Sequence, residues 1–100
     1  MTDDDAKYIA QTLTSPQREI LLNSNGDKIT SLKTVSETSG IDHYILKHES
    51  SYLQSMNLLE VKRSRSGGEF HYNCVILNDR GLQVQAKLNE QKLKKNAPNN

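Results

Sequence analysis

His43, Lys47 and Ser51 recur every four residues, and Tyr44 and His48 share that interval, so a helix over 42–56 would gather all five on one face. Side chains of these types suit the edges of base pairs. A Lys donates to guanine O6 and N7 or to a phosphate, a Ser pairs with several partners, and a Tyr touches a thymine methyl or bonds a phosphate. Farther along, Lys62, Arg63 and Arg65 lead into Gly67-Gly68, where the backbone can turn and come close to a groove. An Arg held there would meet phosphate or enter a minor groove. The same charges would also deter unwanted pairing along an exposed strand edge. Ser31 or Thr34 stands near the start of another short helix, where first-turn N–H groups are ready donors to phosphate. Two acids break the pattern: Asp42 reads as a helix cap and Glu49 as a side chain turned away. The plainer reading of the whole face is a solvated polar helix.

Other chemistry finds little footing. His71 and Cys74 have an H-x-x-C spacing, but on a strand they point to opposite faces, and two ligands do not make a zinc site. Cys74 reads as a small core residue. The chain has no phosphate-binding Gly loop, no H-E-x-x-H and no G-x-S-x-G. Asp3, Asp4 and Asp5 fall in a terminal first turn rather than a cleft. No enzyme activity, metal or cofactor is expected.

The bulk numbers agree with a small binding domain. One hundred residues make one domain, expected over 1–95, and 34% hydrophobic residues with no Trp give a lean aliphatic core. The net charge of +1 hides an asymmetry: residues 1–61 hold nine acids and five bases (−4), while 62–100 hold eight bases and three acids (+5). Such a split points to an anionic partner, or to a Lys-rich solvated final helix. No apolar run approaches the roughly 20 residues that cross a bilayer, and "MTDDDAKYIA" lacks the features of a signal peptide. With the single Cys74 as well, a cytoplasmic, intracellular setting is expected and no membrane partner.

The elements that must position these residues follow from periodicity and punctuation. Ala6, Ile9, Ala10 and Leu13 have helical spacing over about 4–13. Ser15 as cap and Pro16 at the first position start a second helix over about 16–24, with Ile20 and Leu21 inward and Asn25-Gly26 beyond it. "DKIT" is one short edge strand. Thr30 or Ser31 caps a helix over about 31–39 with Leu32 and Val35 inward, and Gly40 closes it. The next helix, 42–56, has Ile45 or Leu46, Tyr52, Leu53 and Met56 as its inward set. "LLEVKRS" and "EFHYNCVIL" then form a hairpin over about 59–77, and Asn78 or Asp79 caps a last helix over about 79–95. Residues 96–100 are a polar tail expected to be disordered. Two short helices across a tight Gly-containing turn, followed by a basic hairpin, make a winged helix-turn-helix: mainly α with a small β-hairpin, flanked by N- and C-terminal helices.

In this order, several blocks resemble MarR-type winged-helix transcriptional regulators. "LTSPQREIL" (Leu13–Leu21) resembles their "LTxxQxxxL", and "ITSLKTVSETSGI" is similar to the helix that supports their recognition helix. "YLQSMNLLEV" resembles "LExxGLI" before the wing, and "VILNDRGLQV" resembles "xxLTxxGxxL" after it. The blocks cover most of residues 13–85. The chain departs from the pattern in four ways. Asn57 stands where Gly is usual, Ser50 takes an apolar position, the wing lacks Asp-x-Arg, and the usual family member is longer. The resemblance implies a sequence-specific regulator of double-stranded DNA, with the 42–56 helix as reader and 62–68 as wing. From another class, the same fold could serve as a protein-interaction module in a larger nucleic-acid-processing assembly, because Lys47 is the one full positive charge on the helix face.

A second copy of the chain is the other expected partner. Leu82, Ala86, Asn89 and Leu93 follow i, i+4, i+7, i+11 spacing on the last helix, and Ile9 and Leu13 offer another apolar edge. The terminal helices either pack together within one chain or pair with their copies about a two-fold axis. The homodimer would set two recognition helices about one DNA turn apart, with Asn89 fixing the register.

Overall fold

The computed structural model describes the backbone of residues 1–65 and 71–96, and the side chains of residues 1–63 and 73–92. Gly67, Gly68 and residues 97–100 of the polar tail lie outside the described residues. The elements run α1 (Asp3–Thr12), α2 (Ser15–Leu22), β1 (Thr30–Ser31), α3 (Leu32–Ser39), α4 (His43–Ser55), β2 (Leu59–Arg65), β3 (His71–Leu77) and α5 (Asp79–Asn96). The result is mainly helical with one small antiparallel sheet, a winged helix-turn-helix. "DKIT" contributes only Thr30 and Ser31, which pair with Val75 and Cys74, so β3 becomes the central strand of the order β1-β3-β2. The hairpin register runs from Leu59 opposite Leu77 to Arg65 opposite His71.

Each helix start is set by a local polar exchange. Thr2 Oγ1 accepts from the Asp5 N–H at 3.1 Å, while the Thr2 N–H donates to Asp5 Oδ2 at 3.2 Å. Hydrogen bonding from the Thr2 hydroxyl, and after it from the Thr2 N–H, holds the Asp5 carboxyl below the usual aspartate range. The cap is therefore intact above that range, and its contribution is lost as pH falls through it. At α2 the cap is Thr14 rather than Ser15, because Gln17 Oε1 reaches back to accept from the Thr14 N–H at 2.9 Å. Asn23 closes this helix before Asn25-Gly26 is reached: its side-chain amide donates to the Glu19 carbonyl at 2.8 Å. Ser31 caps α3, Gly40 ends it in the left-handed conformation at φ 74°, and Asp42 caps α4.

Burial of aliphatic side chains joins these pieces. Ile20, Leu21, Leu32, Val35, Leu46, Leu53, Leu58, Val75 and Val84 are all fully enclosed. Ala6 and Ala10 let α1 lie close on α5, and Asp3 Oδ1 meets Lys87 Nζ at 2.7 Å along that seam. The terminal helices thus pack together within one chain. Leu13 is only 4% exposed and belongs to the core, so it does not form an open edge. The inward residues of α5 are Val84 and Leu88, a different row from Leu82, Ala86 and Asn89. Gln85 Nε2 donates to the Leu21 and Ser24 carbonyls at 2.7 and 2.9 Å, satisfying the open end of α2.

One crossing fixes the base of the hairpin. Asn57 adopts φ 60°, a left-handed turn that Asn tolerates, between α4 and β2. Across it, Asn78 donates from its side chain to the Asn57 carbonyl at 2.9 Å and from its backbone to the Leu58 carbonyl at 3.2 Å. Its Oδ1 accepts the Gly81 N–H at 2.9 Å and so caps α5. Gly81 lies against this crossing so closely that a Cβ there would collide with the Leu58 carbonyl. Gly81→Ala should therefore cost about 1–3 kcal/mol in urea unfolding by overpacking. Gly26→Ala, which meets no atom but keeps a positive φ, should cost about 1 kcal/mol. Equal losses at the two positions would contradict this account.

Candidate nucleic-acid interface

The face of α4 is set by what the helix buries. Leu46, Ser50 and Leu53 point into the core, and Leu46 rather than Ile45 takes the inward position. Ser50 fits an apolar place because its hydroxyl donates to the Lys47 carbonyl at 2.8 Å, leaving no unsatisfied group. Two residues read as inward are outward: Ile45 is 48% exposed and Tyr52 58% exposed. Residue type misleads here, because the stripe through Leu46, Ser50 and Leu53 already fills the contact with the core. Of the inward set, Met56 is half-buried against it.

The five side chains read as one face are placed as follows. Tyr44 is 78% exposed, and Lys47, His48 and Ser51 are exposed beside it. His43 is half-buried, with its ring edge-on to Tyr44 at 6.3 Å. The two acids are occupied. Asp42 Oδ1 accepts the Tyr44 N–H at 2.8 Å, and Glu49 Oε2 accepts from Gln17 Nε2 at 2.9 Å on the α2 side. Gln17, 93% buried by the exposure of 7%, is the residue that sequence reasoning missed. One side chain both caps α2 and holds α4, and its partner Glu49 lies 32 positions away.

The hairpin is tied to α4 by more than the chain. Gln54 Oε1 accepts the Val61 N–H at 2.7 Å, taking up a donor on the edge strand β2. Beyond that bond, Lys62 and Arg63 are exposed, and strand alternation sets them on opposite faces. Arg63 shares the face of Leu59 and Val61, opposite Asn73, whereas Lys62 stands opposite Cys74. Arg65 pairs with His71 at the last described rung, and its side chain lies outside the described residues. Ser31 spends its hydroxyl on the Lys33 N–H at 3.2 Å as the α3 cap, while Thr34 is exposed in the first turn. Cys74 is 4% exposed, and no cluster of three or more metal-ligating side chains occurs among the described residues. Nor, among these, is any helix long and apolar enough to cross a membrane.

Comparison with known proteins adds the fold's company. No family profile and no curated protein matches the chain. Among solved structures, the complex structure of hsRosR-S4, an archaeal winged-helix transcription regulator, superposes with a TM-score of 0.65 at 22% identity, over 96% of this chain and 84% of that one. Rv1404 from Mycobacterium tuberculosis, a MarR-family-like regulator, gives a TM-score of 0.61 at 18% identity, over 92% of this chain and 61% of that one. At such identities the likeness establishes the winged-helix fold.

The Gln17 bridge can be tested without any ligand. Gln17→Ala removes the α2 cap acceptor and the donor to Glu49 together, and should lower stability by about 1–2 kcal/mol in chemical denaturation. Glu49→Gln, which keeps an acceptor for Gln17, should cost less than half as much. A larger loss for Glu49→Gln would mean that the charge, and not the hydrogen bond, holds α4.

Proposed function

We propose that this protein is a sequence-specific transcriptional regulator of double-stranded DNA, with α4 in the major groove and the β2–β3 hairpin against the neighbouring backbone. The observation that carries this reading is the mounting of α4. Its inward stripe, the Gln17–Glu49 bond and the Gln54–Val61 bond fix the helix to the body and to the wing, while Tyr44, Lys47, His48 and Ser51 stay open to solvent. The likeness to two transcription regulators of the same fold supports it. Lys62 and Arg63, with Arg65 at the end of the strand, supply the positive charge that phosphate contact needs.

Affinity for random-sequence duplex should fall steeply with salt. Arg63→Ala should weaken binding to every sequence alike and reduce the salt slope by about one unit. Lys47→Ala should instead cost about 1–3 kcal/mol on a preferred site and relax the choice at one position. Absence of duplex binding at low salt would favour the other reading, a protein-interaction module in a nucleic-acid-processing assembly.

The regulator acts as a homodimer in this proposal. Ala86 and Asn89 are exposed on α5 and Leu82 and Ile9 are half-buried beside them, leaving a row that a second copy could cover, with Leu93 continuing its spacing. Leu13 plays no part in it. Sedimentation equilibrium at micromolar concentration should give about twice the chain mass of 11.3 kDa, reduced toward one chain by Leu93→Asp. A mass near one chain, unaltered by that substitution, would remove the dimer.

A further inference from the structure

The face of α4 is unusual in being apolar as well as open. Six large hydrophobic side chains are exposed among the described residues, and three of them, Tyr44, Ile45 and Tyr52, belong to this one helix. Tyr44 and Ile45 stand in its first turn, the end from which a recognition helix reaches base edges. Resting on the DNA-binding reading above, we propose that α4 selects T·A pairs through the 5-methyl group of thymine, with Tyr44 and Ile45 as the side chains that touch it.

Three features of the site point to this group. In the major groove the apolar feature of a natural base pair is the thymine methyl, and it is the complement of an exposed Tyr ring and Ile side chain. The charges around the patch suit duplex DNA, since Lys47 on the same helix and Lys62 and Arg63 on the hairpin are exposed. The polar groups decide between the two pyrimidines that carry a 5-methyl, thymine and 5-methylcytosine. Cytosine presents an N4–H₂ donor and needs an acceptor, and the two acids of α4 each already accept within the protein, Asp42 Oδ1 from Tyr44 N–H and Glu49 Oε2 from Gln17. The exposed Lys47 ammonium is a donor, and thymine presents the O4 acceptor beside its methyl.

The test begins with selection of a preferred site from random duplexes by the full chain. That site is then resynthesised with deoxyuridine in place of one thymine at a time. Burial of one methyl predicts about a fourfold loss of affinity at one or two positions. Tyr44→Ala and Ile45→Ala should abolish the difference between the thymine and uracil duplexes, whereas Tyr44→Phe should keep it. Thermal melting checks that these exposed substitutions leave the fold intact, and the wild-type duplex series decides the methyl contact without them. Unchanged affinity at every uracil position would overturn the proposal while leaving DNA binding standing. So would discrimination that persists in both Ala variants. Methylating the cytosines of the site should have no effect, and a gain there would overturn the assignment to thymine. If no duplex is enriched at all, the DNA-binding reading falls and this inference with it.

Discussion

The closest constraint in the molecule is the crossing of α5 over the link between α4 and β2. Gly81 can approach the Leu58 carbonyl only because it has no Cβ, and Asn78 can then reach Asn57 and Leu58 at once. The link fixes where α4 ends, and the start of β2 fixes where the hairpin begins. Holding both against the first turn of α5 makes helix, wing and C-terminal helix one body. A side chain at Gly81 would push α5 away and open all three relations together.

Much of this was legible in the sequence, because its signals are local. The change from helical spacing to alternation at Leu59, the Gly40 stop, and the caps at Ser31, Asp42 and Asn78 each lie within a few residues of what they control. The Gly of "NDRG" is the one that must pass the Leu58 carbonyl, and Asn57 holds a φ of 60° that Asn tolerates. Three things were not legible. Gln85 is polar by type and its partners lie 61 and 64 residues away, so nothing local marks it, and the local capping pair of Gln17 with Thr14 gives no sign of the bond to Glu49, 32 positions on. Ile45 and Tyr52 are apolar by type yet exposed, because the core already has Leu46 and Leu53 on that helix. Leu13 has the spacing of an edge residue, yet it is buried in the core.

The candidate site divides into two parts held by different contacts. On α4 one oxygen of each acid is engaged within the protein, Asp42 in the cap and Glu49 in the Gln17 bond on the α2 side. Ser50 keeps the inward stripe free of unsatisfied polar groups although it is not apolar. The wing is held at its base by Val61 on Gln54 and by the Asn78 contacts, whereas its cations begin only at Lys62. In the proposed function α4 would read base edges and the hairpin would carry charge to the backbone. The first suits geometry-sensitive contacts and the second suits charge, which acts over a distance.

Gln85 has a consequence for the way the chain is made. Its amide supplies the donors for two carbonyls at the end of α2, 64 and 61 positions earlier, and α1 also waits for α5 to cover Ala6 and Ala10. A nascent chain that has produced only the helix-turn-helix and hairpin therefore leaves α1 bare and lacks the Gln85 tie beyond the end of α2. Contacts of such long sequence separation slow folding, since the loop between them must be closed before they stabilise anything. The covering of α1 is complete only once α5 has been made.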